Sequence, residues 1–516
     1  MRDDAIVYRA PPALGMAELR RRLGRCGAVS ARARCDATVE FMDTLDDRLR
    51  RAGLGFTREP QRLVLRAARD GEWIASCAWR RASAPRTGAD LPAGELRTLV
   101  EPLIAPRVLL PVFSACWRER CFALAWPDGG KQAGVRWVRA APRGERSGGE
   151  VAWVVVMRTR PRRRRALERA FTGTGLRRVD GDWLRMLRRA AGRHDAPAPR
   201  PNLALDGSET LRRVAAALLR HLLLIMERNE VGVREDLDPE CLHDFRVALR
   251  RTRIVLAQMP RVLPAASTRS FRKRFAEVSH ACGRLRDLDV ELLRRGEYEE
   301  LVPVEVRAGL SRVFARVEEE RAREQAAFRD YLLGAPYRRL KREWRGAIRD
   351  LDAGVPLGLD ADEPAVPVAR RLLGARVRRI RSELDTAGPL DDAALHRLRI
   401  ECKKLRYLIE FFAALVEDAG ERLERLERVQ DALGEYNDLR VQAERLAQAR
   451  RPAPGSGVEA AEAEAIGAVL AVLERRRARA RARCDERLRE LSGRRFARVT
   501  LQVRGDRSEP NGRSGK

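Results

Sequence analysis

The sequence predicts an α+β N-terminal domain followed by an all-α domain built from two repeated units, and three observations predict it. Short strand-like runs separated by Gly/Pro turns fill the first part of the chain. A Pro/Ala-rich stretch, DAPAPRPN from Asp195 to Asn202, then interrupts it. Beyond that stretch, Leu, Ala, Arg and Glu recur at a 3.6-residue apolar period with almost no strand signal.

At 516 residues the chain is too long for one ordinary core, so two domains are expected. The first spans 1–193, where RLVLRAA (Arg62–Ala68) and EVAWVVVMR (Glu150–Arg158) are the clearest strand candidates. A linker follows at 194–206 and the helical domain at 207–491. Within the latter, Asp352–Pro367 and Arg451–Gly457 are expected to be exposed loops, giving units at about 207–350 and 365–491. The polar 504–516 tail lacks an apolar period and is expected to be disordered.

With 104 Lys+Arg against 74 Asp+Glu, the formal charge of +30 and the pI near 11.0 point to a polyanionic partner: nucleic acid, anionic membrane or polyphosphate. Most of these cations are Arg, as a GC-rich coding bias alone would produce, so placement must decide. Nine scattered Cys with no CxxC pair argue against a disulfide framework and against a zinc site, and fit a reducing cytoplasm. The first residues lack an apolar signal core, and the longest apolar runs, Val108–Trp117 and Leu218–Met226, are too short to span a bilayer, so no membrane insertion is expected.

Two segments repeat. HDFRVALRRTR begins at His243 and HRLRIECKKLR at His396, and both read HxxRxxx[RK][RK]xR. At about 100° per residue, the basic positions at His243, Arg246, Arg250 and Arg253 lie within roughly 80° of a helix circumference, as do those at His396, Arg399, Lys403 and Arg406. Phe245, Leu249, Leu256 and Met259 occupy the opposite face of the first copy; Leu398, Leu405, Ile409 and Phe412 do so in the second. Lining up like charges at i,i+3 and i,i+4 costs a few tenths of a kcal/mol per pair, which a bound anion or acidic neighbours would offset. Only five His occur in the chain, and two head the repeats; beside phosphate such a ring would favour its charged form, so binding should strengthen as pH falls.

A second pair of segments follows: CGRLRDLDV (Cys282–Val290) and LGEYNDLRV (Leu433–Val441), aligning Gly283 with Gly434 and Asp287 with Asp438. A further basic residue, Arg274 or Arg425, stands nine positions before each Gly. The duplication suggests two bundles about a pseudo-two-fold axis that would bring the stripes towards one channel. Glu435, Asn437, Asp438 and Asp287 are expected to hold loops and helix ends.

These paired elements, each followed by an LGxx[RN]D-like turn, resemble the CHAD family over roughly Gly207–Leu491. The resemblance implies two antiparallel four-helix bundles with a basic surface or pore that binds inorganic polyphosphate, often at polyphosphate granules. Carried over by position, the phosphate contacts are His243, Arg246, Arg250, Arg253 and Arg274 from one copy, with His396, Arg399, Lys403, Lys404, Arg406 and Arg425 from the other. Cys282 in place of the second copy's Leu433 reads as a minor core change.

The N-terminal region resembles a degenerate CYTH (triphosphate tunnel) domain, an antiparallel β-tunnel with helices. FMDTLDDRLRRAGLGFTRE (Phe41–Glu59), the stretch LIAPRVLLPVFSACWRERCFAL and the closing ALERAFTGTGLRRVDGDWLRMLRR carry that likeness. The ExExK strand that holds metal in such tunnels is missing: the matching segment reads DDAIVYRA, and EVAWVVVMRTR has Glu150 only at its edge. No catalytic residue, metal or cofactor is therefore expected, and the chain reads as a cytoplasmic polyphosphate binder and not an enzyme. Nucleic acid ranks second, because strand stacking needs aromatics and the stripes offer only Tyr407. A triphosphatase in the tunnel domain and a scaffold for an acidic protein are further alternatives.

Overall fold

The computed structural model describes residues 5–129, 132–144, 148–157, 161–179, 182–353, 358–385, 390–449 and 460–492. The chain forms two compact units, Met1–Ala196 and Pro197–Lys516.

The first unit is one antiparallel sheet with helices. Its strands are β1 (Ile6–Ala10), β2 (Ala28–Asp43), β3 (Leu54–Glu59), β4 (Arg62–Ala67), β5 (Trp73–Ala78), β6 (Leu110–Ala125), β7 (Ala133–Arg143), β8 (Val151–Met157) and β9 (Arg177–Arg178). They lie in the order β5-β4-β3-β2-β6-β7-β8-β1-β9. Helices α1 (Met16–Gly24), α2 (Arg48–Arg51), α3 (Glu95–Ile104), α4 (Pro161–Phe171) and α5 (Trp183–Ala190) complete it.

The β8 run VAWVVVM explains how both faces are filled. Val154 and Val156 pack with Leu19, Leu23 and Phe171 on the α1 and α4 side, while Trp153 and Val155 alternate onto the other face with Phe41, Trp117 and Trp183. There Trp153 stacks on Trp183 at 5.3 Å, and Trp117 meets Trp183 edge-on at 5.6 Å. The sheet curls far enough for Arg136 on β7 to donate to the Gly71 carbonyl, in the turn between β4 and β5, at 2.5 Å. The FMDTLDD segment closes the end of β2: Asp43 accepts backbone N–H groups from Thr44, Leu49 and Arg50, and both carboxylate oxygens of Asp47 accept from Arg188 Nη2, at 2.9 and 3.0 Å.

The second unit is helical. Its elements are α6 (Leu211–Arg234), α7 (Pro239–Gln258), α8 (Ala265–Ala281), α9 (Gly283–Leu293), α10 (Arg295–Leu301), α11 (Arg307–Leu333), α12 (Ala335–Ala353), α13 (Ala365–Leu384), α14 (Asp392–Phe411), α15 (Ala419–Ala449) and α16 (Ala460–Ser492). In the second copy α13–α14, α14–α15, α15–α16 and α13–α16 pack in sequence as a four-helix bundle. The first copy repeats that plan with α6, α7, the α8–α9 pair and α11, and adds α12 against α6 and α8. This extra helix is the departure from two equal bundles; its buried Tyr337, Leu340, Trp344 and Ile348 recur at helical spacing, and Trp344 packs on Phe271 and Phe275.

The starts of the two copies pair directly. Leu211 N–H donates to the Glu363 carbonyl at 2.8 Å and Ala365 N–H to that of Glu209 at 2.9 Å. The described part of the expected 352–367 loop, from residue 358 on, is therefore not simply exposed: Ala361 and Ala365 are buried, and α13 already begins at Ala365, because Pro367 falls in a first turn that needs no N–H from it. The 451–457 segment and the 504–516 tail lie outside the described residues. Among the described residues, no helix is long and apolar enough to cross a membrane.

Candidate functional site

Both stripe helices begin the same way. Asp238 accepts the Cys241 N–H at 3.0 Å ahead of α7, and Asp391 accepts the Ala394 N–H at 2.7 Å ahead of α14. Each cap stands five residues before its His and fixes the helix register. The inner faces are closed as the pattern requires, with Phe245, Leu249 and Leu256 buried on α7 and Met259 at its C-cap, and Leu398, Leu405 and Ile409 buried on α14 and Phe412 at its C-cap.

The two histidines are held by equivalent positions of the second repeated segment. Arg286 lies 3.1 Å from His243 Nδ1, and Asn437 Oδ1 lies 3.3 Å from His396 Nδ1. Arg286 and Asn437 both stand three residues after their Gly. A guanidinium only donates, so His243 Nδ1 accepts and its ring proton sits on Nε2; His396 Nδ1 faces an acceptor and donates. The expected turn at this segment is instead helix. Gly434 lies inside α15, where one interior Gly costs only about 1 kcal/mol. In the first copy the chain breaks between α8 and α9 at Cys282–Gly283. Asp287, Glu435 and Asp438 consequently project from helices and pair with Arg445 at 2.5 Å, Arg483 at 2.5 Å and Arg399 at 3.5 Å.

The stripes converge where α7 meets α14. Arg250 Nε donates to Tyr407 Oη at 3.0 Å, across the two copies. The buried Tyr407 ring is faced by the guanidiniums of Arg250, Arg251 and Arg406 at 5.8, 5.3 and 5.1 Å. Lys403, the second-copy counterpart of Arg250, lies beside Arg399, Arg250 and Arg406; burial first, and then these neighbours, push its pKa down to about 7. Burial likewise pushes Arg399 down from the usual guanidinium range, opposed by Asp438. Arg406 reaches Glu427 at 3.5 Å and Glu410 at 3.9 Å.

The other sequence-predicted residues go elsewhere. Arg253 is exposed and makes no hydrogen bond or ion pair among the described residues. Arg246 donates to the Ser279 carbonyl at 3.2 Å and to Cys282 Sγ at 3.0 Å, so Cys282 holds an arginine that its replacement by Leu in the second copy leaves to Asp438. Arg274 pairs with Glu343, and Arg425 with Glu421 at 3.2 Å. Lys404 is turned to Glu401 at 2.6 Å, in a cluster with Arg376. Its first-copy counterpart Arg251 is buried against Glu410 at 2.7 Å. The doubled [RK][RK] thus splits: the first residue of each pair joins the cluster, and the second meets a carboxylate. Sequence reasoning missed Arg251, Glu410, Arg286 and the hub role of Tyr407. The matched position of Arg251 in the repeat was the available signal.

Residues 217–447, which contain both pairs of repeated segments, match the family model of the CHAD domain. Among solved structures, the CHAD domain from the plant Ricinus communis is 26% identical, covering 60% of this chain and all of its own, with a TM-score of 0.49. PptA from Streptomyces chartreusis is 21% identical, covering 55% and 100%, with a TM-score of 0.44. HpAC1 from Hippeastrum, assigned as an adenylyl cyclase and described with a dominant triphosphatase activity, is 15% identical, covering 37% and 96%, with a TM-score of 0.27. No curated protein matches the chain.

The first unit holds a different kind of interior from the cluster in the helical unit. Buried Arg66 and Glu59 pair at 2.8 Å, and Arg136 lies 3.8 Å from Glu119, whose carboxylate accepts Trp117 Nε1–H at 3.0 Å. A cavity of about 530 Å³ adjoins them, lined by Arg32, Asp70, Glu72, Cys121 and Arg136 among others. Among the described residues no group of three or more His, Cys, Asp or Glu gathers to hold a metal.

Proposed function

We propose that the CHAD region binds inorganic polyphosphate through the cluster of Arg250, Arg399, Lys403 and Arg406, and that the protein acts as a binder and not an enzyme, in the cytoplasm at polyphosphate granules. The family match supports a polyphosphate-type ligand. The observation that carries the reading is that cations from both repeats meet around one buried tyrosine, with Lys403 lacking any hydrogen bond or ion pair among the described residues. A chain of closely spaced negative charges supplies the counter-charge that Arg250 and Lys403 lack, without asking for base recognition.

The same tyrosine ranks nucleic acid lower. Single-strand binding draws on exposed aromatic faces for about 1–3 kcal/mol per stacked base, and the one aromatic on the stripes is fully buried under guanidiniums. Competition between long-chain polyphosphate and single-stranded RNA at equal charge and physiological salt tests this. Polyphosphate should displace RNA, with an affinity that falls steeply as salt rises through counterion release. RNA holding its place at equal charge would refute the reading.

A further inference from the structure

We infer that Lys403 couples polyanion binding to proton uptake: the occupied site holds this amine charged, and the protein draws the missing proton from solution as the phosphate chain arrives. The inference rests on the proposed function and adds its regulation by pH.

The geometry surrounds one amine with like charge. Arg399 and Arg406 stand one turn either side of Lys403 on α14 and Arg250 approaches from α7; opposing them, Asp438 on α15 is itself engaged with Arg399 at 3.5 Å, and Glu410 and Glu427 are engaged with Arg406 at 3.9 and 3.5 Å. Tyr407 at this junction already accepts from Arg250, and Arg251 beside it is taken up by Glu410 at 2.7 Å. The adjacent Lys404 gives the contrast within one helix, since it has Glu401 at 2.6 Å while Lys403 has no hydrogen bond or ion pair among the described residues. Three guanidiniums hold their protons at any accessible pH, so the lysine is the member of the cluster that yields.

The sign follows from those neighbours. In the free protein burial and the Arg groups bring the Lys403 amine down to about 7, so above that pH a growing fraction is neutral. Phosphate oxygens reverse the balance and return the amine towards the ordinary lysine range of about 10.4. Between those limits each binding event converts R–NH2 and a solvent proton into R–NH3+, and affinity falls by up to about tenfold per pH unit. Near pH 6 the amine is mostly charged beforehand and its own uptake fades.

Titration calorimetry with long-chain polyphosphate, run at pH 6 and pH 8.5 in buffers of different ionisation enthalpy, counts the protons. Wild type should take up close to one proton more per site at pH 8.5 than Lys403→Arg, with the two converging at pH 6; the variant keeps its charge and should bind with a flatter pH profile. Binding with equal proton counts in both proteins overturns this inference and leaves the proposed function standing. Failure of wild type to bind polyphosphate at either pH overturns both.

Discussion

Tyr407 carries the contact between the repeats at the scale of single residues. Its hydroxyl accepts from Arg250 and its ring faces three guanidiniums, so its oxygen fixes where the first copy's arginine points. Tyr407→Phe keeps the ring and removes the acceptor, a loss of about 1 kcal/mol for one hydrogen bond. Polyphosphate affinity should drop roughly fivefold with unchanged helix content; undiminished affinity would show that Arg250 does not depend on this bond. The stripe itself was legible in the sequence, because period and charge coincide there. Which member of each basic pair turns inward was not. Adjacent residues differ by about 100° around a helix, and the choice between Arg250 and Arg251 is made by Glu410, a residue 159 positions away.

The ion pair of Arg251 with Glu410 ties α7 to α14 at the scale of elements. Both side chains are almost wholly buried, at 6% and 1% exposure. Glu410→Leu strands the guanidinium and should cost about 3–5 kcal/mol, whereas pairing it with Arg251→Met should recover most of that. Denaturant unfolding of the single and double variants measures the difference, and equal destabilisation in both would remove the pair from the account. The helical character of this region, and of the stripe helices α7 and α14 in particular, was readable from apolar period, whereas the Asp238 and Asp391 caps came only with the structure. The path through Gly434 was not readable, since a glycine beside Asn and Asp reads locally as a turn; Leu433, Tyr436 and Leu439, all buried along α15, outweigh it.

At the scale of the whole chain the duplication is what gives scattered cations a place to meet. A formal charge of +30 names no site. Much of the arginine proves to be paired with carboxylates, as Arg274, Lys404 and Arg425 also are. The repeat concentrates Arg250, Arg399, Lys403 and Arg406 at one junction, and this was foreseeable only as a consequence of pseudo-symmetry. The extra helix α12 left no trace in the repeat pattern because it has no counterpart in the second copy.

On the proposed reading this junction, and not the general basicity of the chain, holds the ligand. The most direct test compares long-chain polyphosphate affinity for wild type and two variants that each lose four cations: Arg250, Arg399, Lys403 and Arg406 all changed to Ala, or Arg246, Arg274, Lys404 and Arg425 all changed to Ala. Loss of roughly a hundredfold in the first, with the second within a few-fold of wild type at physiological salt, is the predicted result, because only the first removes charges that converge. Equal losses in the two folded variants would contradict the account.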